Sequence, residues 1–209
     1  MRKILILAGL LVTAPLIAQS APEVPGKPDV SRITGGSYTA DPSHTLIEFE
    51  VDHLGFSEYF GIFGDATGTL VLDPKKLADA KVDITIPVSR VTTASAGLTA
   101  HLLRPGKDGG KPDFFGATPA DAHFVSTKVV VTGMTAKITG NLTLNGVTAP
   151  VVLDAEFKGA GINPMNKKET VGFEAETTIK RSVFGITTAI PFVSDEVELE
   201  IAVPFEKVG

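Results

Sequence analysis

Apolar and polar residues alternate along most of the chain after residue 44. Between Thr45 and Asp52, Ile47, Phe49 and Val51 alternate with three carboxylates. A period of two places all the apolar groups on one face of a β-strand and the carboxylates on the other face. Similar alternation recurs along the chain, so we predict an all-β fold with eight strands. They are predicted at 45–52, 61–72, 80–89, 122–132, 134–144, 147–158, 170–179 and 196–206.

The connections between these strands are mostly short. Asn145-Gly146, between two alternating runs, is a strong hairpin signal, and Asp73-Pro74 ends the second strand. Antiparallel strands with one apolar face form either a two-sheet sandwich or a closed barrel. Neighbouring hairpins favour an up-and-down barrel, which leaves no exposed sheet edge. We therefore predict a single eight-stranded antiparallel β-barrel with its polar face outward, and the sandwich is the alternative.

One connection is much longer than the others. Residues 90–121 contain a predicted short helix at 94–103, a stretch of Gly, Lys and Pro at 105–112, and the adjacent Phe114 and Phe115. Long connections inside compact domains are usually functional or flexible. We predict that this segment, here called the lid, covers one end of the barrel between the third and fourth strands.

The amino terminus resembles a secretory signal peptide. Arg2 and Lys3 precede an apolar run that ends in small residues, which predicts cleavage near residue 18 or 20. Thr13 and Pro15 interrupt the run, which is shorter than the roughly 20 residues of a membrane-spanning helix. The predicted organisation is a signal peptide at 1–20, a flexible lead-in at 21–37 and the barrel at 38–209. We expect an exported, periplasmic protein without a stable membrane anchor.

Charge and composition exclude several classes of protein. Without residues 1–20, which hold two basic residues and no acid, the net charge of −5 becomes −7, so a nucleic-acid partner is not expected. The chain has no Cys, which excludes disulfides and thiolate chemistry. His44, His53, His101 and His123 lie on four separate segments without metal-ligand spacing, so no metal site is expected.

Catalytic motifs are also missing from the sequence. There is no Gly-x-Ser-x-Gly motif, and Asp41-Pro42-Ser43-His44 predicts a turn rather than a triad. The carboxylates lie mostly at outward positions of the strands, where they cannot work as a pair inside a cleft. We therefore expect a binding protein without catalytic residues, with a hydrolase as a distant alternative.

The inward positions are rich in Phe, and the chain has no Trp and only two Tyr. A filled core explains any single Phe, but an interior of this kind also suits an aliphatic or isoprenoid chain. Enclosing ~400–500 Å² of apolar ligand surface would contribute roughly 10–12 kcal/mol before the costs of immobilisation. A ligand could thus bind tightly without a charged anchor.

Several short motifs together resemble the YceI-like family, from about residue 38 to 205. In the first half they are Asp41-Pro42-Ser43-His44, Ile47-x-Phe49-x-Val51-x-His53-Leu54-Gly55, Phe63-Gly64 and 68–73. In the middle they are His101-Leu102, Asp113-Phe114-Phe115 and Ala122-His123-Phe124. In the last part they are 140–148, Gly172-Phe173, Arg181-Ser182-x-Phe184-Gly185-Ile186 and 194–197.

The resemblance implies an exported bacterial protein with a lipocalin-like antiparallel barrel that binds a polyisoprenoid or another long amphiphile. It implies no metal and no catalytic residue; a bound quinone-like lipid or fatty-acid derivative would be the only cofactor-like group. Two features depart from the family pattern. Thr99 stands where the family usually has Asp, and Arg104–Pro112 is a Gly- and Lys-rich insertion.

We therefore predict a periplasmic carrier that encloses a polyisoprenoid or other long-chain lipid and has no other cofactor. The chain-lining residues are predicted to be Phe49, Val51, Ile84, Ile86, Phe124, Leu142, Phe173 and Ile179. Leu102, Phe114 and Phe115 of the lid are predicted to close the pocket, and His53, His101 and Arg181 to supply polar contacts at its mouth. The alternative is a fully packed barrel that acts as an interaction module through its exterior or its lid. The sequence is compatible with a homodimer as well as with a monomer.

Overall fold

The computed structural model describes residues 23–209, so the predicted signal peptide lies outside the described residues. This part of the chain forms eleven β-strands, one short α-helix, α1 (Ala96–Leu102), and five 3₁₀ turns. The strands are β1 (Gly36–Ala40), β2 (Leu46–His53), β3 (Ser57–Phe63), β4 (Thr67–Leu72), β5 (Lys81–Ile86), β6 (Val91–Thr93), β7 (Ala122–Thr132), β8 (Thr135–Leu144), β9 (Val147–Ile162), β10 (Glu169–Lys180) and β11 (Glu196–Lys207).

These eleven strands occupy eight positions around a closed antiparallel barrel. β1 and β2 lie end to end along the same edge of β11, with Ala40 opposite Phe205 and Leu46 opposite Ala202. β3 and β4 follow each other in the same way, and so do β5 and β6. Pairing of β1 with both β4 and β11 closes the ring. The predicted eight-stranded barrel, with the lid between its third and fourth strand positions, is confirmed.

The first three strand positions are each broken, which the sequence did not predict. The predicted strand 61–72 is wrong as a continuous strand, because it starts earlier, at Ser57, and is interrupted at 64–66, where Asp65 has a φ of 58°. The predicted strand 80–89 ends at Ile86, and Pro87, which lacks an N–H group, begins a turn. β1 was not among the predicted strands because only Tyr38 and Ala40 of its five residues are buried apolar positions.

Residues 23–35 pack against one end of the barrel. The backbone of Lys27 exchanges two hydrogen bonds with Ala160 of β9, at 3.1 and 2.8 Å, and Ile33 is buried in the core. The Tyr38 hydroxyl donates to Glu169 at 2.6 Å. Burial, and then the Glu169 carboxylate, raise the pKa of Tyr38 to about 12. This end of the barrel is therefore closed by the segment that precedes β1.

The outward face carries carboxylates on adjacent strands. In one row Asp154, Glu176, Glu200 and Glu48 are direct cross-strand neighbours, and in the next row Glu198 lies opposite Glu50. Like charges in this position destabilise a sheet. Partial burial, followed by the charge of Glu58 and then of Glu198, raises the pKa of Glu50 above its ordinary value.

Glu50→Gln is expected to raise the melting temperature at pH 7. A carboxyl group whose folded pKa is raised destabilises the fold above that pKa, and the penalty disappears as pH falls below the unfolded value. The gain should therefore shrink towards pH 4, as measured by thermal denaturation between pH 4 and 8. Glu174→Gln is the control, because Lys158 Nζ lies 2.9 Å from that carboxylate and the variant should gain nothing. A gain at Glu50 that does not change with pH would contradict this account.

Candidate functional site

The interior of the barrel contains a cavity with two lobes. The deep lobe, about 200 Å³, extends from the middle of the barrel to the end closed by residues 23–35. The lid-side lobe, about 450 Å³, extends from the middle to the lid. The two lobes adjoin in the middle of the barrel, where they share four lining residues. The shared residues are Ile47, Ile86, Leu142 and Leu199.

The deep lobe is almost wholly apolar. Its polar side chains are Thr45, Thr135 and Thr177, and no ionisable residue among 23–209 lines it. Residues that precede or connect the strands close its far end, namely Val30, Ile33, Leu77 and Met134. Burying a polar or charged ligand group here would leave that group without partners, which is unfavourable. The deep lobe therefore suits the hydrocarbon end of a molecule.

Two inward-facing glycines make room for aromatic rings on the wall. A Cβ atom at Gly61 would overlap the ring of Phe49, and a Cβ atom at Gly140 would overlap the ring of Phe124. Gly61 lies opposite Phe49 across the β2–β3 pair, and Gly140 is next to the β7 bulge near Phe124. The rings can therefore lie flat against neighbouring strands, which leaves the centre of the barrel unfilled.

The lid-side lobe combines an apolar wall with five polar side chains. These are His53, Tyr59, His101, Arg181 and Thr188. Tyr59 and Thr188 were not predicted. Tyr59 continues the alternation of inward positions that includes Gly61 and Phe63, so a predicted strand that began at residue 57 would have included it. Thr188 lies in a connection, where no alternation marks an inward position. A ligand's polar end fits this lobe better than the deep lobe.

Arg181 is buried at the edge of this lobe, with 5% of its surface exposed. Its guanidinium donates four hydrogen bonds to the carbonyl oxygens of Ser194 (2.7 Å), Ile186 (3.3 Å), Thr188 (2.8 Å) and Val193 (2.9 Å). Burial lowers its pKa, while the nearby Asp195 carboxylate favours the charged form. Since four of the five N–H donors hold the 186–194 connection, only one is left for a ligand.

His101 lies between the cavity and a charged pair on the lid. Its Nε2 is 3.1 Å from Asp113 Oδ2, and Arg104 donates to the same oxygen at 2.5 Å. The hydrogen bonds from Arg104 and then His101 lower the pKa of Asp113. The ring of Phe114 packs edge-on against His101 at 5.3 Å. The imidazole is therefore held in place on the wall of the lid-side lobe.

Hydrogen bonds order the lid internally and attach it to the barrel. Ser95 caps α1 by accepting from the Leu98 N–H at 3.3 Å, and the Thr99 hydroxyl accepts from the Thr93 N–H of β6 at 3.0 Å. The Phe115 N–H donates to Leu102, and Lys111 Nζ donates to the Gly185 carbonyl at 2.6 Å. The lid thus extends across the mouth of the cavity to the connection that follows β10.

Replacing Phe114 and Phe115 together by Ser is expected to speed release of a bound apolar ligand at least tenfold. Phe115 lines the cavity and packs edge-on against Phe63 at 5.8 Å, so its loss removes apolar contact from the lid's inner surface. The dissociation rate is measured by transfer of a fluorescent isoprenoid to vesicles. Val183→Ser, an exposed change outside the lining, should not alter the rate. An unchanged rate with a large loss of thermal stability would show that these rings act as core.

All fourteen residues predicted to bind the ligand line the cavity. Ile84, Phe124 and Phe173 line the deep lobe, and Ile86 and Leu142 line both lobes. The other nine line the lid-side lobe, namely Phe49, Val51, His53, His101, Leu102, Phe114, Phe115, Ile179 and Arg181. The cavity therefore brings the predicted residues together, while their contact with a ligand stays a prediction.

Within residues 23–209, no three His, Asp or Glu side chains come together in a way that could hold a metal ion. The longest helix in this part of the chain, α1, has seven residues, and no helix there is long and apolar enough to cross a membrane.

A family model, related sequences and solved structures all match most of this chain. Residues 38–205 match the model of the YceI-like domain. A UPF0312 protein of Pectobacterium carotovorum is 41% identical over 167 residues, which cover 79% of this chain and 83% of that protein. The crystal structure of the Campylobacter jejuni YCEI protein superposes with a TM-score of 0.61 at 32% identity, covering 76% of this chain and 90% of that one. A polyisoprenoid binding domain from Saccharophagus degradans shares the fold, with a TM-score of 0.57, 13% identity and coverage of 82% and 98%.

Proposed function

This chain belongs to the family of YceI-like domains, and we propose that it binds a polyisoprenoid or a similar long-chain lipid inside its barrel. The observation that carries the proposal is the pair of adjoining lobes. Among residues 23–209, the deep lobe has threonine hydroxyls as its polar groups, and the ionisable side chains line the lobe towards the lid. Such a gradient matches a molecule with a long hydrocarbon chain and one polar end. The lid-side lobe, about 450 Å³, falls in the range of small-molecule sites, and the deep lobe adds about 200 Å³ beside it.

The comparisons support the same class of ligand. The Saccharophagus degradans domain with this fold is described as polyisoprenoid-binding. At 13% identity the likeness shows a shared fold and does not extend to the ligand. The cavity wall supplies the independent argument, because it offers many apolar contacts and few hydrogen-bond donors. Binding, rather than catalysis, is the activity that these residues support.

Titration of delipidated protein with fluorescent isoprenoids of increasing length tests the proposal. We expect affinity to rise with each added unit until the two lobes are full and then to level off, because each buried CH₂ group contributes about 0.8 kcal/mol. A short polar alcohol with the same end group is the control and should bind weakly. Affinity that does not depend on chain length would contradict a lipid function and favour a packed interaction module.

We further propose that the protein is exported and carries its lipid through the periplasm. The support is the sequence of residues 1–20, with a basic start, an interrupted apolar run and small residues at its end. Protein purified from its native host should begin near residue 19 or 21 and appear in the periplasmic fraction. Amino-terminal sequencing that finds an intact Met1 in cytosolic protein would end this proposal.

A further inference from the structure

Three large apolar side chains are exposed at the lid end of the barrel. Leu54 and Phe56 lie in the turn between β2 and β3, and Phe192 lies in the connection between β10 and β11. Their exposed fractions are 47%, 88% and 66%, respectively. We refer to these three residues as the apolar rim. Because these side chains contribute little to the core, core packing does not explain why large apolar residues occupy these positions.

The apolar rim lies next to the mouth of the lid-side lobe. The Leu54 N–H donates to the Phe192 carbonyl at 2.7 Å, and His53 forms a β-bridge with Val193. These hydrogen bonds hold the turn and the connection side by side. Three residues of the same turn and connection, His53, Ala189 and Val193, line the lid-side lobe. The apolar rim is therefore adjacent to residues that line the cavity from which a ligand would leave.

The conformation of the turn makes Leu54 an unusual choice. Leu54 and Gly55 have φ angles of 63° and 68°. Turn positions with positive φ favour Gly, Asn or Asp, and a bulky apolar residue is strained there. Burial does not offset this strain, since about half of the Leu54 side chain is exposed. An apolar contact outside the protein would account for Leu at this position.

The charges beside the apolar rim indicate the kind of surface that it fits. Residues 52–58 and 186–196 contain Asp52, Glu58, Asp195 and Glu196, and no Lys or Arg. These two segments therefore offer no cation to anionic headgroups, and the lid lysine that reaches the same connection, Lys111, donates to the Gly185 carbonyl. Three side chains on narrow loop tips also fall short of the roughly 800 Å² per partner of a standard protein interface. Insertion of a few aromatic and aliphatic side chains into a bilayer surface is stabilised by the apolar area that it buries, without a matching protein surface.

We propose that the apolar rim docks reversibly on a lipid bilayer, with Leu54, Phe56 and Phe192 inserted between the headgroups. The mouth of the lid-side lobe then faces the membrane, and an apolar chain passes between bilayer and barrel without crossing water. This inference rests on the proposed lipid-binding function. Docking depends on apolar insertion, so it is insensitive to salt and is not strengthened by anionic lipid.

Cosedimentation with vesicles tests the docking. The probes are vesicles of phosphatidylcholine alone and of phosphatidylcholine with phosphatidylglycerol, each at low and high salt. The variant Leu54→Asn with Phe56→Ser and Phe192→Ser should lose at least tenfold in vesicle binding. The matched control is Ile162→Ser with Met165→Ser, which removes two apolar side chains with exposures of 55% and 89% at the opposite end of the barrel. This control should bind vesicles like the unaltered protein.

The proposal is overturned if the unaltered protein does not bind vesicles, or if the apolar-rim variant binds equally well. It is also overturned if the opposite-end variant loses binding, or if the apolar rim instead mediates a dimer that its variant dissolves in gel filtration. Native mass spectrometry of the same samples separates this failure from failure of the proposed function. If the protein keeps a bound lipid but does not dock, the proposed function stands and the docking proposal fails. If the protein never holds a lipid, the proposed function fails as well.

Discussion

Replacing Phe173 by Asp is expected to weaken binding of a long apolar ligand by at least about 30-fold. Phe173 lines the deep lobe, with ring contacts to Phe157 at 5.7 Å and to Phe205 at 6.2 Å. An aspartate there sets a carboxylate against the hydrocarbon end of the ligand, where the described part of the chain offers only threonine hydroxyls as partners. Desolvating an unpaired polar group costs about 2 kcal/mol or more, which corresponds to that loss of affinity.

Two variants control for the effect at Phe173. Phe173→Leu keeps the wall apolar and should retain most of the affinity. Glu174→Ala changes the next residue, which points outward and pairs with Lys158, and should not affect binding. Circular dichroism must show native strand content in each variant, because a buried carboxylate can also unfold a barrel. Equal lipid retention by folded Phe173→Asp would show that the ligand does not occupy the deep lobe.

Arg181→Met is expected to lower the free energy of unfolding by about 3–5 kcal/mol. The substitution keeps an unbranched side chain but leaves four backbone carbonyl groups, at 186, 188, 193 and 194, without their donors. An unsatisfied buried polar group costs about 1–3 kcal/mol, and water can reach some of these carbonyls once the connection loosens. Against a typical total stability of about 5–15 kcal/mol, this is a large effect.

Arg104→Met is the matched control for Arg181. Arg104 is an exposed residue of the lid whose partner is Asp113, and surface ion pairs contribute about 0–1 kcal/mol. Urea denaturation of both variants gives the comparison. If Arg181→Met is as stable as Arg104→Met, the guanidinium does not hold the 186–194 connection, and its charge is free to serve a ligand.

The sequence predicted the barrel well because one face of each strand is consistently apolar. Phe49, Ile84 and Phe173 lie in alternating runs that predict an inward position, and all three line the cavity. The interruptions of the first three strand positions were not predicted. They depend on local backbone geometry, such as the positive φ of Asp65, which does not disturb the period of two on either side.

The candidate site was predicted less completely than the fold. The far end of the deep lobe is closed by residues such as Val30 and Met134, which lie in connections where no periodic pattern marks an inward position. Arg181 lines the lid-side lobe, but its hydrogen bonds go to backbone carbonyls 5 to 13 residues further along the same connection between β10 and β11. Contacts of this kind arise from the three-dimensional path of the chain and leave no spacing in the sequence.

Native mass spectrometry of the protein purified from its native host tests the central claim most directly. We expect the folded protein to carry an additional mass, which organic extraction removes and identifies as a long-chain lipid. The Phe173→Asp variant, purified in parallel, should carry little or none of it. Folded protein that shows only the polypeptide mass, and that takes up no isoprenoid when one is supplied, would contradict the account.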